Sequence, residues 1–127
     1  MKNLLIDLDN TLTIDEKEVS YENKRVNLKL ANKLVEYKKM GFKIIIFTSR
    51  NMKSFNGNIK KIRESTLPLI IGWLEKNNII YDEIIVGKPW CGEEGFYVDD
   101  KAIRPSEFEN LNYDEICKLL DIKKDKN

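Results

Sequence analysis

The chain has 127 residues and a mass of 14.9 kDa, with 22 basic residues, 21 acidic residues and no histidine. The resulting net charge of +1 excludes a global electrostatic attraction to nucleic acid or to an anionic membrane. Without histidine, a Ser-His-Asp triad and imidazole acid–base catalysis are excluded, so carboxylates must carry any proton transfer.

The cysteines and the apolar segments place further limits on the protein. Cys91 and Cys117 stand alone, without the spacing of a zinc site or a disulfide framework. No apolar stretch is long enough for a transmembrane helix, and the apolar run after Lys2 becomes acidic too soon for a signal peptide. We therefore expect a cytoplasmic protein with one domain over residues 1–122 and a frayed tail over residues 123–127.

Predicted strands and helices alternate along the chain. Strands are predicted at residues 2–8, 42–47, 83–86 and 95–98, and helices at residues 26–40, 67–76 and 113–120. Gly41 is the predicted stop of the first helix, and Thr66 and Asn112 are the predicted caps of the other two. This alternation predicts an α/β fold in which helices cover both faces of a central parallel sheet, a Rossmann-like three-layer arrangement. The polar linker over residues 13–25 is long, which is typical of a loop over a site.

Polar residues stand at the carboxyl ends of all four predicted strands, where open parallel sheets bind ligands. They are Asp7 and Asp9 after the first strand, Thr48 after the second, Lys88 after the third, and Asp99 with Asp100 after the fourth. Carboxylates, a hydroxyl group and a lysine are the groups that phosphoryl transfer needs. The sequence therefore predicts that these side chains converge on one site.

In this order, the motif DLDNT at residues 7–11, Thr48, Lys88 and the Asp99-Asp100 pair resemble the haloacid dehalogenase (HAD) superfamily of phosphatases. Segments FTSRNM at 47–52, TLP at 66–68, VGKPWCG at 86–92 and GFYVDDKAIRP at 95–105 resemble its small capsule-biosynthesis phosphatases. The resemblance implies the Rossmann-like HAD fold. Neither residues 12–25 nor residues 51–65 form a stretch long enough for an inserted cap domain.

The resemblance implies a Mg2+-dependent phosphomonoester hydrolase with an aspartyl-phosphate intermediate. Asp7 is the expected nucleophile, because a carboxylate attacks phosphorus without prior deprotonation, and Asp9 is the expected general acid and base. Thr48 and Lys88 would hold the transferring oxygens. The expected metal ligands are Asp7, the Asp9 carbonyl, and Asp99 or Asp100. The expected substrate-binding residues are Thr48, Ser49, Arg50, Asn51 and Lys88.

The expected substrate is a small phosphorylated sugar or polyol of capsular polysaccharide biosynthesis, with phosphorylated serine-like or glycerol-like compounds as alternatives. No nucleic-acid or membrane partner is expected. The site is either open or covered by a neighbouring subunit in a homo-oligomer. A response-regulator receiver domain is disfavoured by the order of the motifs. A receiver has its acidic pair after the first strand, whereas this chain has the DxD motif there and the Asp99-Asp100 pair late in the sequence. A non-catalytic, partner-binding phosphatase homologue is the other alternative. For Arg50, the alternative to a substrate contact is a pair with a surface carboxylate.

Overall fold

The computed structural model describes residues 1–124, and the part of the predicted tail at 125–127 lies outside the described residues. The chain has an α/β fold and divides into two compact units, Met1–Trp90 and Cys91–Asn127. None of the helices in the described part of the chain is both long enough and apolar enough to cross a membrane.

The first unit is built on a parallel three-stranded sheet. Its elements are β1 (Asn3–Ile6), β2 (Thr13–Ile14), β3 (Arg25–Val26), α1 (Leu28–Lys39), β4 (Lys43–Thr48), α2 (Ile59–Ser65), α3 (Leu67–Lys76) and β5 (Glu83–Val86). The sheet order is β1-β4-β5, with Ile6 opposite Ile46 and Thr48 opposite Val86. All three carboxyl ends therefore lie at one edge of the sheet, as the sequence predicts. The two short strands β2 and β3 pair separately and antiparallel.

The core of this unit lies between the central strand and its helices. Ile44 and Ile46 of β4 are fully buried, as are Leu30 and Leu34, one helical turn apart on α1. Helix α1 begins at Asn27, whose side chain accepts the Leu30 N–H, and ends before a left-handed Gly41. The predicted first helix is confirmed, with its ends shortened to the capped segment.

Helix α2 was not predicted from the sequence, and helix α3 was predicted but its first turn is bonded differently. Helix α2 lies inside the polar stretch before residue 65, and the Asn58 side chain caps it by accepting the Lys61 N–H. Thr66 is the N-cap residue of α3, as predicted, but its side chain bonds no backbone N–H of the helix. Its hydroxyl instead donates to Asn51 Oδ1 at 2.8 Å, so a tertiary contact holds this side chain.

The second unit contains α4 (Pro105–Asn110), which the sequence reading missed, and α5 (Tyr113–Leu119), which it predicted. The predicted cap of α5 is confirmed, since the Asn112 side chain accepts the Glu115 N–H at 2.9 Å. The predicted strand at residues 95–98 is wrong for the described chain, because these residues have no regular secondary structure and pair with no strand. Aromatic and β-branched residues favour a strand, but this local preference does not form one by itself.

Asp82 joins α1 to the sheet just before β5. Its carboxylate accepts hydrogen bonds from Lys38 Nζ at 2.7 and 2.8 Å and from the Ile44 N–H at 2.7 Å. The Lys38 hydrogen bonds, followed by that of Ile44, lower the pKa of Asp82 below its usual 3.8. A lowered pKa stabilises the folded state above the unfolded-state pKa, and this contribution is lost as pH falls through the folded-state value.

Asp82→Ala should therefore lower the free energy of unfolding at pH 7, and the difference from wild type should shrink as pH falls below about 4. Urea unfolding followed by circular dichroism at pH 7 and pH 3 measures both effects. Glu83→Ala is the matched control, because Glu83 pairs with Lys43 across an exposed surface. A loss for Asp82→Ala that is the same at both pH values would contradict the assignment.

Candidate active site

The turn that follows β1 holds the first two predicted site residues. Leu8 and Leu12 at its ends are fully buried and anchor it in the core. Asn10 between them adopts a left-handed backbone conformation with φ of 57°, which asparagine tolerates better than most residues. Its N–H donates to Thr13 Oγ1 at 3.0 Å and to Asp15 Oδ1 at 3.1 Å. This bonded turn fixes the backbone that carries both carboxylates.

Asp7 lies at the start of the turn, with 35% of its side chain exposed. Thr11 Oγ1 donates to Oδ2 at 3.3 Å, and Lys88 Nζ lies 3.9 Å from Oδ1. Burial raises the pKa of Asp7 above its usual value and outweighs the opposing effect of the Lys88 charge. The negative charge of Asp7 is therefore incompletely compensated by the protein around it.

The charge of Asp9, in contrast to that of Asp7, is compensated by two cations. Arg50 Nε donates to its Oδ2 at 3.0 Å, and Arg50 Nη2 donates to its Oδ1 at 2.7 Å, which forms a two-point ion pair. Lys24 Nζ adds a third hydrogen bond to Oδ1 at 2.9 Å. Burial alone would raise the pKa of Asp9, but the hydrogen bonds and charges of Arg50 and Lys24 lower it below its usual value.

Lys24 is a site residue that the sequence reading missed. It is buried, its Nζ donates also to Asp15 Oδ1 at 2.9 Å, and these carboxylates raise its pKa although burial acts in the other direction. The Tyr21 ring lies 4.7 Å from Lys24 Nζ and 4.1 Å from the Arg50 guanidinium carbon, in cation–π contact with both. The only sequence signal for these residues was the unusual length of the polar linker that carries them.

The ends of β4 and β5 contribute Thr48 and Lys88. Thr48 is buried, its Oγ1 accepts the Arg50 N–H at 3.1 Å, and its carbonyl accepts the Lys88 N–H at 3.1 Å. Gly87 has a φ of 87°, a conformation that glycine adopts without strain, and it turns the chain between β5 and Lys88. The structure thus brings Asp7, Asp9, Thr48 and Lys88 together at one edge of the sheet.

The other predicted substrate-binding residues follow β4. The Arg50 side chain is only 2% exposed and its donors are engaged with Asp9. Asn51 Oδ1 accepts the hydroxyl of Thr66, and Ser49 lies between Thr48 and Arg50 with a partly exposed side chain. Arg50 does pair with a carboxylate, but the partner is the partly buried site residue Asp9 and not the surface carboxylate of the alternative. Direct substrate contacts by these residues stay predictions.

Asp99 and Asp100 lie in the second unit, and both are exposed. Asp99 Oδ1 accepts the Lys101 N–H at 2.8 Å, which forms a tight turn. Within residues 1–124, no three cysteine, aspartate or glutamate side chains are grouped closely enough to hold a metal ion. The assignment of Asp7, Asp9, Asp99 and Asp100 to a common magnesium site stays a prediction.

Comparison with known proteins identifies a family by structure. The sequence matches no protein-family model, and no curated protein is significantly similar to it. A crystal structure of a Vibrio cholerae protein is 49% identical, with a TM-score of 0.90 over 98% of this chain and 100% of that chain. The chain therefore belongs to the same family as the Vibrio protein.

A second solved structure shares only the fold. It is a chain of the Pnkp1/Rnl/Hen1 complex, 23% identical, with a TM-score of 0.51 over 87% of this chain and 34% of that chain. This likeness supports the α/β assignment and says nothing about activity.

Removing one partner of the Arg50–Asp9 pair should be strongly destabilising, because the other charge is left buried without it. Arg50→Met leaves a half-buried carboxylate with Lys24 as its remaining cation, and should cost about 2–3 kcal/mol in the free energy of unfolding, somewhat less than for a fully buried pair. Arg25→Met is the matched control, since Arg25 pairs with Glu16 on an exposed surface and should cost little. Urea unfolding measures both losses, and equal losses would contradict the role given to Arg50.

Proposed function

We propose that the chain is a Mg2+-dependent phosphomonoester hydrolase of the HAD type that works through an aspartyl-phosphate on Asp7. The observation that carries the proposal is that two carboxylates only two residues apart have opposite environments, one with few compensating charges and one with two bound cations. The charge of Asp7 is incompletely compensated beside Lys88, while Asp9 accepts hydrogen bonds from Arg50 and Lys24. Two neighbouring carboxylates with different environments are typical of acid–base and nucleophile pairs.

Asp7 is suited to the nucleophilic role. Its Oδ1 lies on the Lys88 side, and a carboxylate that burial deprives of water has less hydration to lose when it attacks phosphorus. In the first half-reaction a bond forms between an Asp7 oxygen and phosphorus, while the bond between phosphorus and the alcohol oxygen breaks. Lys88 and the Thr48 hydroxyl would balance the charge on the transferring oxygens.

Asp9 takes the proton-transfer role. Its two ion pairs favour the carboxylate form, which is the form that removes a proton from water when the aspartyl-phosphate is hydrolysed. To donate a proton to the leaving alcohol in the first half-reaction, Asp9 must be protonated, and this requires that at least one of its ion pairs loosens. Arg50 and Lys24 then act as positioning residues that restore Asp9 for the second half-reaction.

Mg2+ fits the donors that the first unit provides. The Asp7 carboxylate has a hydroxyl donor in Thr11, a backbone donor in Leu8 and an ammonium group 3.9 Å away in Lys88, and its remaining lone pairs can bind a hard cation. The proposed ligands are Asp7, the Asp9 carbonyl, and Asp99 or Asp100. Bound there, the ion would offset the repulsion between these carboxylates and an anionic phosphate ester.

The proposed substrate is a small phosphorylated sugar or polyol used in capsular polysaccharide biosynthesis, with phosphorylated serine-like or glycerol-like compounds as alternatives. Two features of the structure bear on its recognition. Arg50 is occupied by Asp9, and the linker beside the site presents Asp15 and the half-exposed Tyr21. A phosphomonoester screen across these classes identifies the substrate.

The first test of the proposal removes the nucleophile and the metal separately. Asp7→Asn should abolish turnover and any acid-stable phosphoenzyme, and excess chelator should abolish wild-type activity until Mg2+ is added back. Hydrolysis of p-nitrophenyl phosphate and of the substrates from the screen provides the measurement. Near-normal turnover by Asp7→Asn, or full wild-type activity in chelator, would contradict the mechanism.

The second test concerns Lys88. Lys88→Ala should lower kcat on the order of a hundredfold, because it removes the cation beside Asp7 and the transferring phosphate. Lys43→Ala is the control of equal charge change, since Lys43 is exposed and lies at the start of β4, at the opposite end of that strand from Thr48. An unchanged rate in Lys88→Ala, or an equal loss in the control, would contradict the catalytic role of Lys88.

A further inference from the structure

The polar linker over residues 13–25 forms a small cleft in the first unit. The cleft has a volume of about 290 Å³, which is at the lower end of the range for ligand-binding pockets in proteins. One short stretch of chain supplies its lining, namely Asp15, Glu16, Val19, Ser20, Tyr21 and Lys24. A cleft of this size is suited to a small ligand or to one part of a larger one.

Contacts with the rest of the first unit hold the cleft in shape. The strands β2 and β3 pair at the two ends of the linker, where Thr13 lies opposite Val26. The indole N–H of the buried Trp73, on α3, donates to the Lys24 carbonyl at 2.9 Å. The cleft is therefore formed before a ligand binds, and this lowers the entropic cost of binding.

One end of the cleft adjoins the candidate active site. Lys24 Nζ lies 2.9 Å from Asp15 Oδ1, which belongs to the cleft, and 2.9 Å from Asp9 Oδ1, which belongs to the site. A single ammonium group thus joins the two carboxylates. In the proposed function Asp9 gives a proton to the leaving alcohol, so the alcohol oxygen must come within hydrogen-bond reach of Asp9. The cleft is the adjoining space for the rest of that alcohol.

We propose that this cleft binds the alcohol part of the phosphomonoester and selects a neutral, hydroxyl-rich alcohol over one that carries a second anionic group. The inference rests on the proposed function, and it narrows the substrates to phosphate esters of neutral polyols and sugars. It places the selectivity in the linker, whereas the sequence predicts substrate contacts for the segment after β4.

Two carboxylates of the cleft can accept hydrogen bonds from hydroxyl groups. Asp15 accepts three hydrogen bonds, from the segment before it and from Lys24, and all of them on Oδ1. Glu16 accepts one, on Oε1, from Arg25 Nε. Within residues 1–124, Oδ2 of Asp15 and Oε2 of Glu16 accept no hydrogen bond. These two oxygens are therefore acceptors for the hydroxyl groups of a polyol or sugar.

The charges of the cleft disfavour a second anion. Its lining carries two carboxylates and one ammonium group, that of Lys24, which is also shared with Asp9. Arg25, beside the cleft, pairs with Glu16 at 2.8 Å. A second anionic group in the cleft would therefore lie against an excess of negative charge, and like charges at close range repel each other. A neutral hydroxyl group has no such cost.

Tyr21 supplies an apolar surface to the same cleft. Its ring is held by cation–π contacts with Arg50 and Lys24, and the residue is 43% exposed. The C–H groups of a polyol or sugar can pack against an aromatic surface of this kind. A fixed aromatic ring beside carboxylate acceptors suits a molecule that has both C–H and hydroxyl groups.

Two matched pairs of esters test the selection. Glycerol 3-phosphate and 3-phosphoglycerate differ in a hydroxymethyl group against a carboxylate, and glucitol 6-phosphate and 6-phosphogluconate differ in the same way. We expect wild-type kcat/KM to be on the order of tenfold higher for the neutral member of each pair that is hydrolysed. Hydrolysis of p-nitrophenyl phosphate, which has neither hydroxyl groups nor a second anionic group, gives the reference activity.

Glu16→Gln is the diagnostic variant, because it removes a negative charge from the cleft and keeps a hydrogen-bond acceptor, whereas Asp15 also holds the turn after β1. It should lower the preference for the neutral ester about threefold to tenfold, mainly through a lower KM for the anionic ester. Glu22→Gln is the control of equal charge change, since Glu22 is exposed on the same linker and lies outside the cleft. The control should keep the wild-type preference.

The outcomes separate the inference from the proposed function. A wild type that hydrolyses p-nitrophenyl phosphate but neither pair, or both members of a pair equally well, would overturn the inference alone. An equal change for both esters in Glu16→Gln would do the same, because it would mean that Glu16 only supports the fold of the linker. A wild type without activity on any ester, p-nitrophenyl phosphate included, would overturn the proposed function and the inference with it.

Discussion

The two-point ion pair between Arg50 and Asp9 is the constraint on which the candidate site depends. Asp9 lies on the turn after β1, and Arg50 lies just beyond the end of β4, so the pair joins the carboxyl ends of neighbouring strands. A half-buried carboxylate is costly unless cations offset it, and Lys24 adds the second cation. Because Lys24 lies near the end of the long polar linker, its contact with Asp9 places this part of the linker beside the site.

The neighbouring groups follow from this arrangement. Tyr21 lies against both cations, and the Arg50 N–H donates to the Thr48 hydroxyl, so the network extends from the linker to the end of β4. Asp7 is outside the network, with Lys88 nearby but not in hydrogen-bond contact. The protein thus saturates one carboxylate and leaves capacity on the other, so two carboxylates two residues apart have different environments.

The predicted strand at residues 95–98 is absent from the described chain for a physical reason. A β-strand satisfies its backbone groups only when it has a neighbour, so strand propensity in the sequence becomes a strand only where a partner exists. The aromatic and β-branched residues of this segment predicted a strand, and that prediction is wrong for the described chain. In the described chain these residues are irregular and exposed, so local strand propensity alone did not decide their conformation.

The sequence by itself determined the parallel α/β fold, α1, α3, α5 and the three strands of the sheet. It also determined that Asp7, Asp9, Thr48 and Lys88 meet, because apolar periodicity and parallel strand ends are local and topological properties. Only the tertiary structure decided that Arg50 and Lys24 bind Asp9. Those contacts span 41 and 15 residues, and no local pattern specifies which of many charged side chains a buried carboxylate will choose.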